Sequence, residues 1–425
     1  MKFHVDTFGC RTNQAEIQDW IIDLENAGYR LVSSIDEADF GVINTCSVTE
    51  KAEKDVLRRI NKVYHKTNRP WVVTGCTVEK EKKRLAAQYR HFIFLDNGEK
   101  QDLVASIKDR FPIENGNLIY HSAFRSRIFL KVQDGCNLRC AFCIVPRLRG
   151  KSRSVPPDVL QKKCAHLVSL GYREIVLSGI NLSAYGYDLF PRENLLNLVK
   201  RLADNEGLEF IRLSSLDPRY IEFTFIKELA ALEKVAHSFH FSFQSGSGAV
   251  LRRMNRRSKI GEYRKIMNDF IRFFPDANYG ADILVGFPEE TEKEFQETVT
   301  FVGELPLNYL HVFPFSPRAG TRAAALPTLP PAVVRKRTRA LRELDSQMRL
   351  GYRERFVDRV LDGILIEENP HYALAVTTNF LTVRVAPVKG YKKRKIRVRI
   401  RKVINEKLCE GEVVHPAAHR GEAVT

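Results

Sequence analysis

Three cysteines in one short loop constrain this chain more than any other feature. Cys136, Cys140 and Cys143 are separated by three and then two residues, and they follow the apolar, β-branched run 128–133. A strand is therefore expected to deliver three soft thiolate ligands to one point. This spacing suits a [4Fe-4S] cluster in which three irons take a thiolate and the fourth stays open. The alternative is a zinc knuckle, but zinc sites usually pair two Cys-x-x-Cys hooks, and the sequence has no second hook.

A second group of three cysteines is spread along the amino-terminal part of the chain. Cys10, Cys46 and Cys76 each end an apolar run and precede a helix-like stretch. In a parallel sheet the carboxyl ends of the strands meet at one edge, so we expect the three thiols to converge there. Nearby helix amino termini would favour an anionic, thiolate-ligated cluster. The alternative is three unrelated buried thiols. Cys164 and Cys409 have no such partners and are expected to be core or surface thiols.

Composition and charge limit the classes of protein to which this chain can belong. The chain has 425 residues, 44% of them hydrophobic, which is enough for about three domains. No apolar run approaches the roughly eighteen residues of a membrane span, so we expect no membrane association and a cytoplasmic location. Eight cysteines do not suggest a disulfide framework, and oxygen-sensitive clusters require a reducing compartment. The net charge of +17 favours a nucleic acid partner, unless the basic surface serves only solubility.

The middle of the chain alternates strand-like runs with helical or loop stretches. This alternation predicts a parallel sheet, and six units are too few for a closed eight-fold barrel. Polar residues stand at the carboxyl ends of these strands, where a cofactor fits, although a single Ser or Asn there is equally expected in a turn or helix cap. The six runs are 127–133, 174–180, 210–215, 238–244, 279–286 and 310–316.

The carboxyl-terminal region is strongly basic. A helix is expected from Pro331, with a basic run from Val334 and an apolar stripe among otherwise cationic residues. Beyond it, strict alternation predicts a strand whose apolar face carries Ile396, Val398 and Ile400. The opposite face suits contact with RNA phosphates, and its cations are Lys395, Arg397, Arg399 and Arg401. Five strands are expected to form a small barrel, with runs at 357–366, 372–376, 381–388, 396–403 and 412–414.

Two stretches around the cysteine loop resemble a known enzyme family. The CxxxCxΦC pattern, with Phe142 as the aromatic residue, resembles the signature of radical S-adenosylmethionine (SAM) enzymes. The flanking segments 131–137 and 143–154 resemble the MiaB-like methylthiotransferases, a branch of that superfamily. The resemblance covers about residues 2–414 and departs mainly at Leu138 and Arg139. It implies an α/β chain with three domains: a flavodoxin-like parallel sheet (1–115), a partial (β/α)6 radical SAM barrel (122–353) and an OB-like TRAM barrel (354–415).

The resemblance also implies the cofactors and the chemistry. Two [4Fe-4S] clusters would be held by the two cysteine trios, with Cys136, Cys140 and Cys143 catalytic. SAM cleaved at the loop cluster would yield a 5′-deoxyadenosyl radical, and the second cluster would deliver the sulfur that a further SAM methylates. The residues expected to contact SAM are Phe142, Gly179, Asn181, Ser214, Ser215, Gln244 and Asp282.

The segments around the first two cysteines indicate a branch of the family. The runs 7–16 and 44–52 look most like the MtaB group, which acts on N6-threonylcarbamoyladenosine next to the tRNA anticodon. The alternatives are the branches that act on isopentenyladenosine tRNA, with a Cys-x-Met-Asn run, or on a ribosomal protein aspartate, with Pro-Lys-Asn. The implied partners are the anticodon stem-loop of tRNA and an electron donor such as a flavodoxin or ferredoxin, and a monomer is expected.

Two further classes of function stay open from the sequence. The first is a radical enzyme that inserts no sulfur and whose amino-terminal cysteines bind zinc or an electron-transfer cluster. The second is a non-catalytic RNA-binding protein with structural metal. Iron analysis separates the zinc case, since two clusters contain about eight irons per chain.

Overall fold

The amino-terminal domain of the computed structural model is a parallel five-stranded sheet. The structure describes residues 1–113, 127–388 and 394–416. The strand order is β2-β1-β3-β4-β5, and helices connect the strands. Every residue of β3 and β4 is buried, as expected for strands covered on both faces. The elements are β1 Lys2–Thr7, α1 Arg11–Asn26, β2 Arg30–Leu31, β3 Phe40–Thr45, α2 Glu50–Lys66, β4 Trp71–Gly75, α3 Cys76–Gln88, β5 Phe92–Leu95 and α4 Leu103–Arg110.

The central domain begins at β6, and its predicted boundary with the first domain, between 115 and 122, lies outside the described residues. Six longer parallel strands build it, in line with the predicted partial barrel. The predicted third run divides into β9 and β10, which belong to different sheets. The elements are β6 Arg127–Asp134, α5 Val145–Arg149, β7 Arg153–Ser154, α6 Pro157–Ser169, β8 Glu174–Gly179, α7 Leu195–Ala203, β9 Phe210–Leu213, β10 Ser215–Leu216, α8 Phe223–Ala230, β11 Ser238–Gln244, α9 Gly248–Arg253, α10 Ile260–Phe273, β12 Asn278–Val285, α11 Glu292–Glu304, β13 Tyr309–Pro314 and α12 Pro331–Glu354.

Backbone hydrogen bonds join the two halves of the partial barrel. One four-stranded sheet has the order β7-β6-β8-β9 and the other β10-β11-β12-β13. Between them the Ile211 amide donates to the carbonyl oxygen of Lys234 (2.7 Å), and the Ala236 amide donates to that of Ile211 (2.8 Å). The two sheets therefore continue into one curved wall around a single interior.

Helices from two sides cover the open edges of this wall. The Phe129 amide on the edge of β6 donates to Gln18 Oε1 of α1 (2.8 Å). On β13, the Leu310 amide donates to Asp345 Oδ1 of α12 (2.7 Å). Strand edges carry unpaired amides that need partners, so both helices complete the barrel as well as pack on it. In the described part of the chain, no helix is long and apolar enough to cross a bilayer.

The carboxyl-terminal domain is a closed five-stranded barrel in the order β14-β15-β16-β18-β17. Ile396, Val398 and Ile400 are fully buried, which confirms the predicted apolar face of β17. The first strand starts three residues later than predicted, because the chain still turns at Asp358, whose φ is +63°. The elements are β14 Val360–Glu368, β15 Ala373–Thr377, β16 Thr382–Val385, β17 Lys395–Asn405 and β18 Leu408–Pro416.

A candidate cysteine-ligated site between two domains

The three amino-terminal cysteines occupy equivalent places at one edge of the parallel sheet. Cys10 is the residue before α1, Cys46 directly follows β3, and Cys76 is the first residue of α3. Burial, with contributions from the nearby sulfurs of Cys10 and Cys76, raises the pKa of the Cys46 thiol to about 12. The fold therefore brings together three thiols that are far apart in sequence.

Gly9 makes room for the Cys46 thiol. Its φ of +92° lies in the left-handed region, and a Cβ at this position would be 2.3 Å from Cys46 Sγ. Asn13 ties the same turn together, because its Nδ2 donates to the carbonyl oxygens of Phe8 (2.7 Å) and Thr45 (2.9 Å). A larger residue than glycine would displace the thiol from the group.

The second group of cysteines lies in the loop that leaves β6. The Cys136 amide donates to the carbonyl oxygen of Gly150 (3.1 Å), and the Cys143 amide donates to that of Cys140 (3.1 Å). Burial raises the pKa of the Cys143 thiol to about 12, and the sulfurs of Cys140 and Cys136 act in the same direction. The three thiols thus lie within electrostatic range of one another, where a metal that accepts thiolates would stabilise the loop.

Positive charge lies beside this loop. Arg256 is 4% exposed, and its Nη1 is 3.8 Å from Cys140 Sγ. Its Nη2 donates to the Ser242 carbonyl oxygen (2.6 Å) and contacts Asp217 Oδ2 (3.4 Å), which also pairs with Arg219. A cluster ligated by three thiolates is anionic, so a buried guanidinium next to a ligand sulfur suits it.

One short helix separates the two groups of cysteines. α5 begins just after Cys143, and its residue Leu148 forms an apolar cluster with Ile144 and Cys76. Asn97 Nδ2 of the first domain donates to the Leu148 carbonyl oxygen (2.6 Å). The residue that follows the last loop cysteine therefore shares an apolar cluster with Cys76 of the amino-terminal trio, and both trios belong to one region at the domain interface.

Arg149, the last residue of α5, is the charged centre of that interface. Its side chain is 1% exposed, and its Nη1 lies 3.1 Å from Glu16 Oε1 and 3.0 Å from Asp134 Oδ1. Its Nη2 donates to Asn13 Oδ1. Burial raises the pKa of Glu16, but the charges of Arg149 and Lys131 outweigh burial and hold this pKa well below its usual range. Glu16 is thus a carboxylate that binds the central domain to α1.

The donor chemistry of both trios fits iron–sulfur ligation. The structure describes all eight cysteines, and all are free thiols. Burial raises the pKa of Cys76, while the neighbouring Arg149 charge opposes this rise, as Arg256 does for Cys143. Soft ligands flanked by guanidinium groups are what an anionic cluster requires. The two remaining cysteines, at 164 and 409, are buried singly in apolar cores.

Predicted SAM contacts lie at the carboxyl ends of β8 and β9. The Asn181 amide donates to Gln133 Oε1 (2.9 Å), and a Cβ on Gly179 would lie 3.0 Å from the same oxygen. The hydroxyls of Ser178 and Ser214 are buried without a hydrogen-bond partner among the described residues. Unsatisfied buried hydroxyls at a strand end fit a polar ligand, so the residues present here suit SAM.

The other predicted SAM contacts stand on separate segments. Phe142 lies in the cysteine loop and packs against the central core, and Ser215 begins β10. Gln244 ends β11 with a φ of +72°, which is uncommon outside glycine and clusters at ligand sites. Asp282 lies in the middle of β12, and its carboxylate contacts two histidines of the neighbouring strands. Contact of these four residues with SAM stays a prediction.

Two of the four predicted RNA-binding cations of β17 already have acidic partners. Lys395 and Arg401 lie 3.3 Å and 3.1 Å from a carboxylate oxygen. Arg397 is 53% exposed and makes only a 3.9 Å contact with a carboxylate. Arg399 has no ion pair with any residue in the described ranges. Arg397 and Arg399 are therefore the cations best placed to contact phosphates.

Known proteins resemble this chain over most of its length. Residues 2–95 match the family described as "Uncharacterized protein family UPF0004", and residues 130–302 match the radical SAM superfamily. Threonylcarbamoyladenosine tRNA methylthiotransferase MtaB of Aquifex aeolicus (strain VF5) is 34% identical, over 92% of this chain and 98% of its own length. The chain belongs to the radical SAM methylthiotransferases.

A second methylthiotransferase relative has a different named substrate. The tRNA-2-methylthio-N(6)-dimethylallyladenosine synthase of Thermosipho africanus (strain TCF52B) is 31% identical, over 87% of this chain and 88% of its own length. Among solved structures, the radical SAM methyltransferase TsrM from Kitasatospora setae has a TM-score of 0.56 at 12% identity, over 76% of this chain and 77% of that chain. That likeness supports the fold alone.

The family assignment made from the cysteine loop and its flanks is thus confirmed, as is the α/β architecture with a closing barrel. A radical SAM methylthiotransferase uses SAM and a [4Fe-4S] cluster. The residues assigned to these groups, and the domain limits, stay predictions.

Sequence reasoning missed the charged residues that join the two trios. Arg149 and Asn13 lie in segments that were notable only for the family resemblance, and Glu16 and Asp134 were not singled out for charge. No periodic pattern connects residues in separate domains, so their pairing is visible only in the structure. Arg149 could have been singled out in the sequence by its position at the end of the short segment after Cys143.

Replacing Arg149 with Met should destabilise the metal-free protein by about 3–5 kcal/mol, because it leaves two buried carboxylates short of a cation. The matched control is Arg58→Met, whose pair with Asp55 is exposed and should contribute less than about 1 kcal/mol. Urea denaturation under reducing conditions measures both. Equal stability of the two variants would show that the interface does not depend on Arg149.

Proposed function

We propose that this methylthiotransferase inserts a methylthio group at C2 of N6-threonylcarbamoyladenosine next to the anticodon of tRNA. The observation that carries the proposal is the position of the two cysteine trios on either side of α5, with Cys76 in one apolar cluster with Ile144 and Leu148. A reaction that both activates a carbon and adds sulfur to it needs two such groups close together. The named activity of the Aquifex relative supports the same reaction.

Each trio has a separate task in this proposal. Cys136, Cys140 and Cys143 would hold the cluster that binds SAM, and Cys10, Cys46 and Cys76 would hold a second [4Fe-4S] cluster. With SAM bound, these groups supply a radical that removes hydrogen from an unactivated carbon, together with the sulfur and methyl of the product.

The chain itself orders the site. Buried ion pairs hold α5 between the domains, because Arg149 at its end pairs with both Glu16 and Asp134. Arg318 fastens the segment after Cys46, since its Nη1 donates to the Ser47 carbonyl oxygen (3.1 Å) and to Glu53 Oε2 (2.8 Å). Exclusion of water once substrate is bound would limit the loss of a radical to solvent hydrogen donors.

RNA is favoured over a protein substrate by the distribution of charge. The chain carries a net charge of +17. On the outer face of β17, Arg397 has only a 3.9 Å contact with a carboxylate, and Arg399 has no ion pair within the part of the chain that the structure describes. Such a face suits phosphate contact, which positions a nucleic acid without reading its bases. We further infer a monomeric, cytoplasmic enzyme that receives electrons from a flavodoxin or ferredoxin.

The most direct experiment compares tRNA nucleosides from cells with and without this protein by mass spectrometry. The proposal expects 2-methylthio-N6-threonylcarbamoyladenosine to disappear with the protein. Loss of 2-methylthio-isopentenyladenosine instead, or an unchanged nucleoside profile, would contradict it.

Cys140→Ala should abolish production of 5′-deoxyadenosine, because it removes a ligand of the SAM-binding cluster. Bound iron should fall from about eight to about four per chain, since the amino-terminal cluster persists. Cys164→Ala is the control, because this buried cysteine has no partner thiol. Continued 5′-deoxyadenosine production by the Cys140 variant would overturn the assignment of the loop.

Cys46→Ala should separate the two tasks. This variant is expected to cleave SAM reductively but to add no methylthio group to RNA, because only the amino-terminal trio serves sulfur delivery. Liquid chromatography of the same reaction measures both products. A normal yield of methylthio nucleoside would show that the trio is structural.

Changing both Arg397 and Arg399 to Ala should weaken tRNA binding at low salt and flatten its salt dependence by roughly one unit of slope for each arginine–phosphate pair removed. The double change Lys395→Ala with Arg401→Ala removes the same charge but should alter the slope less, because those cations are already paired with carboxylates. Identical slopes for the two double variants would place the RNA-binding surface elsewhere, for example on α12.

A further inference from the structure

Three polar side chains meet in the middle of the central barrel. Asp282 Oδ1 lies 2.9 Å from His240 Nε2 and 3.5 Å from His311 Nδ1. The two imidazole rings are 4.5 Å apart between centroids. They come from adjacent strands β11, β12 and β13, in a register that places Asp282 opposite His311 and His240 opposite Gly280. The group therefore stands on hydrogen-bonded strands rather than on loops.

Strand alternation directs these side chains into the barrel. Phe239 and Phe241 flank His240 and pack against Phe270 of α10, so the face opposite to His240 is the helix-covered one. The side chains of Asp282, on the inner strand β12, and of His311, on the edge strand β13, keep 20% and 41% of their surface accessible. They consequently border open space in the barrel interior.

Tyr309 extends the same polar surface. A Cβ on Gly280 would lie 2.0 Å from its ring, so the absence of a side chain at that position lets the ring lie across β12. The hydroxyl oxygen of Tyr309 is 3.1 Å from His240 Nδ1, which holds that imidazole in place. Hydrogen bonding of one ring nitrogen fixes the role of the other, which points to Asp282.

Arg11 brings a cation to this space from the other domain. It is the first residue of α1, directly after Cys10, and α1 covers the open edge of β6. Its guanidinium is half-buried and has no hydrogen bond or ion pair with any residue that the structure describes. Burial lowers the pKa of His240, the Asp282 carboxylate opposes this, and the charges of His311 and Arg11 act in the same direction as burial, so the Arg11 guanidinium is within electrostatic range of His240.

A metal ion is the first alternative for two histidines and a carboxylate. The nearby guanidinium argues against it, because a second cation at this point would be repelled. An unpaired guanidinium beside hydrogen-bonding imidazoles instead suits an anionic, polar ligand.

We propose that Arg11, His311 and the Asp282–His240 pair form the subsite for the N6 substituent of the substrate nucleoside, with Arg11 binding its carboxylate. This inference rests on the proposed function and names what selects its substrate. A threonylcarbamoyl group carries a carboxylate, a hydroxyl and urea N–H groups, which match a cation, imidazoles and a carboxylate. A dimethylallyl group is a hydrocarbon and would leave these buried polar groups unpaired.

The physical cost of that mismatch sets the selectivity. A hydrophobic pocket distinguishes poorly between similar groups, whereas a site built for hydrogen bonds rejects an analogue without them by roughly 10⁴-fold. The two relatives of known name, which differ in this substituent, cannot be told apart by their 34% and 31% identity to this chain. The barrel interior separates the two substrates on chemical grounds.

The test uses the reconstituted enzyme and two anticodon stem-loop RNAs, one with threonylcarbamoyladenosine and one with dimethylallyladenosine. Wild type should methylthiolate only the first. Arg11→Met should lower kcat/KM for it by roughly 10- to 100-fold, as expected for loss of a charge-assisted hydrogen bond, and Arg11→Lys should restore part of the loss. Arg30→Met, an exposed arginine just beyond α1, is the control.

The outcomes distinguish this inference from the function on which it rests. If wild type modifies neither RNA, the proposed function fails and the subsite falls with it. If wild type modifies the first RNA and Arg11→Met is unimpaired, only the subsite is wrong. Loss of SAM cleavage without RNA in Arg11→Met would assign the guanidinium to the SAM carboxylate, and a metal ion that is lost in His311→Phe would make the group a metal site. Either result would overturn the inference.

Discussion

A single buried guanidinium holds the two cysteine groups of this protein in one place. Arg149 follows the loop of one trio and reaches Glu16 and Asn13, which lie on the helix that starts at the other. Buried charges are costly to desolvate, so this arrangement is stable only while all the partners remain together. The relative position of the two domains is therefore determined by the same side chains that surround the sulfur ligands.

The sequence predicted the elements better than their contacts. Alternation at Ile396, Val398 and Ile400 predicted a buried strand face, because period two is a local property of the backbone. The equivalence of Cys10, Cys46 and Cys76 was likewise visible from each strand-to-helix junction. The pairing of Arg149 with Glu16 was not, because it depends on how two domains pack. The cations of β17 also differ in their partners, although they belong to one sequence pattern. Arg401 pairs with the carboxylate of Asp358, just before the neighbouring strand β14, and Arg399 has no such partner among the described residues.

The barrel interior offers a basis for substrate selection, which the family assignment does not give. Relatives with two different named substrates share the architecture, so the fold by itself does not select a nucleoside. The polar group around Asp282 belongs to the strands, whereas Arg11 belongs to the domain that carries Cys10. The substrate pocket and the sulfur-bearing group would then be completed by the same docking of α1 on the barrel.

The shared helix has a consequence for damage by oxygen. α5 starts beside Cys143 and contacts Cys76, so the same helix covers both trios. If both trios hold clusters as proposed, oxidative loss of one cluster would loosen this helix and expose the other cluster to air. In air, inactivation would then proceed as one cooperative event, whereas enzyme with a single cluster would persist only when oxygen is absent.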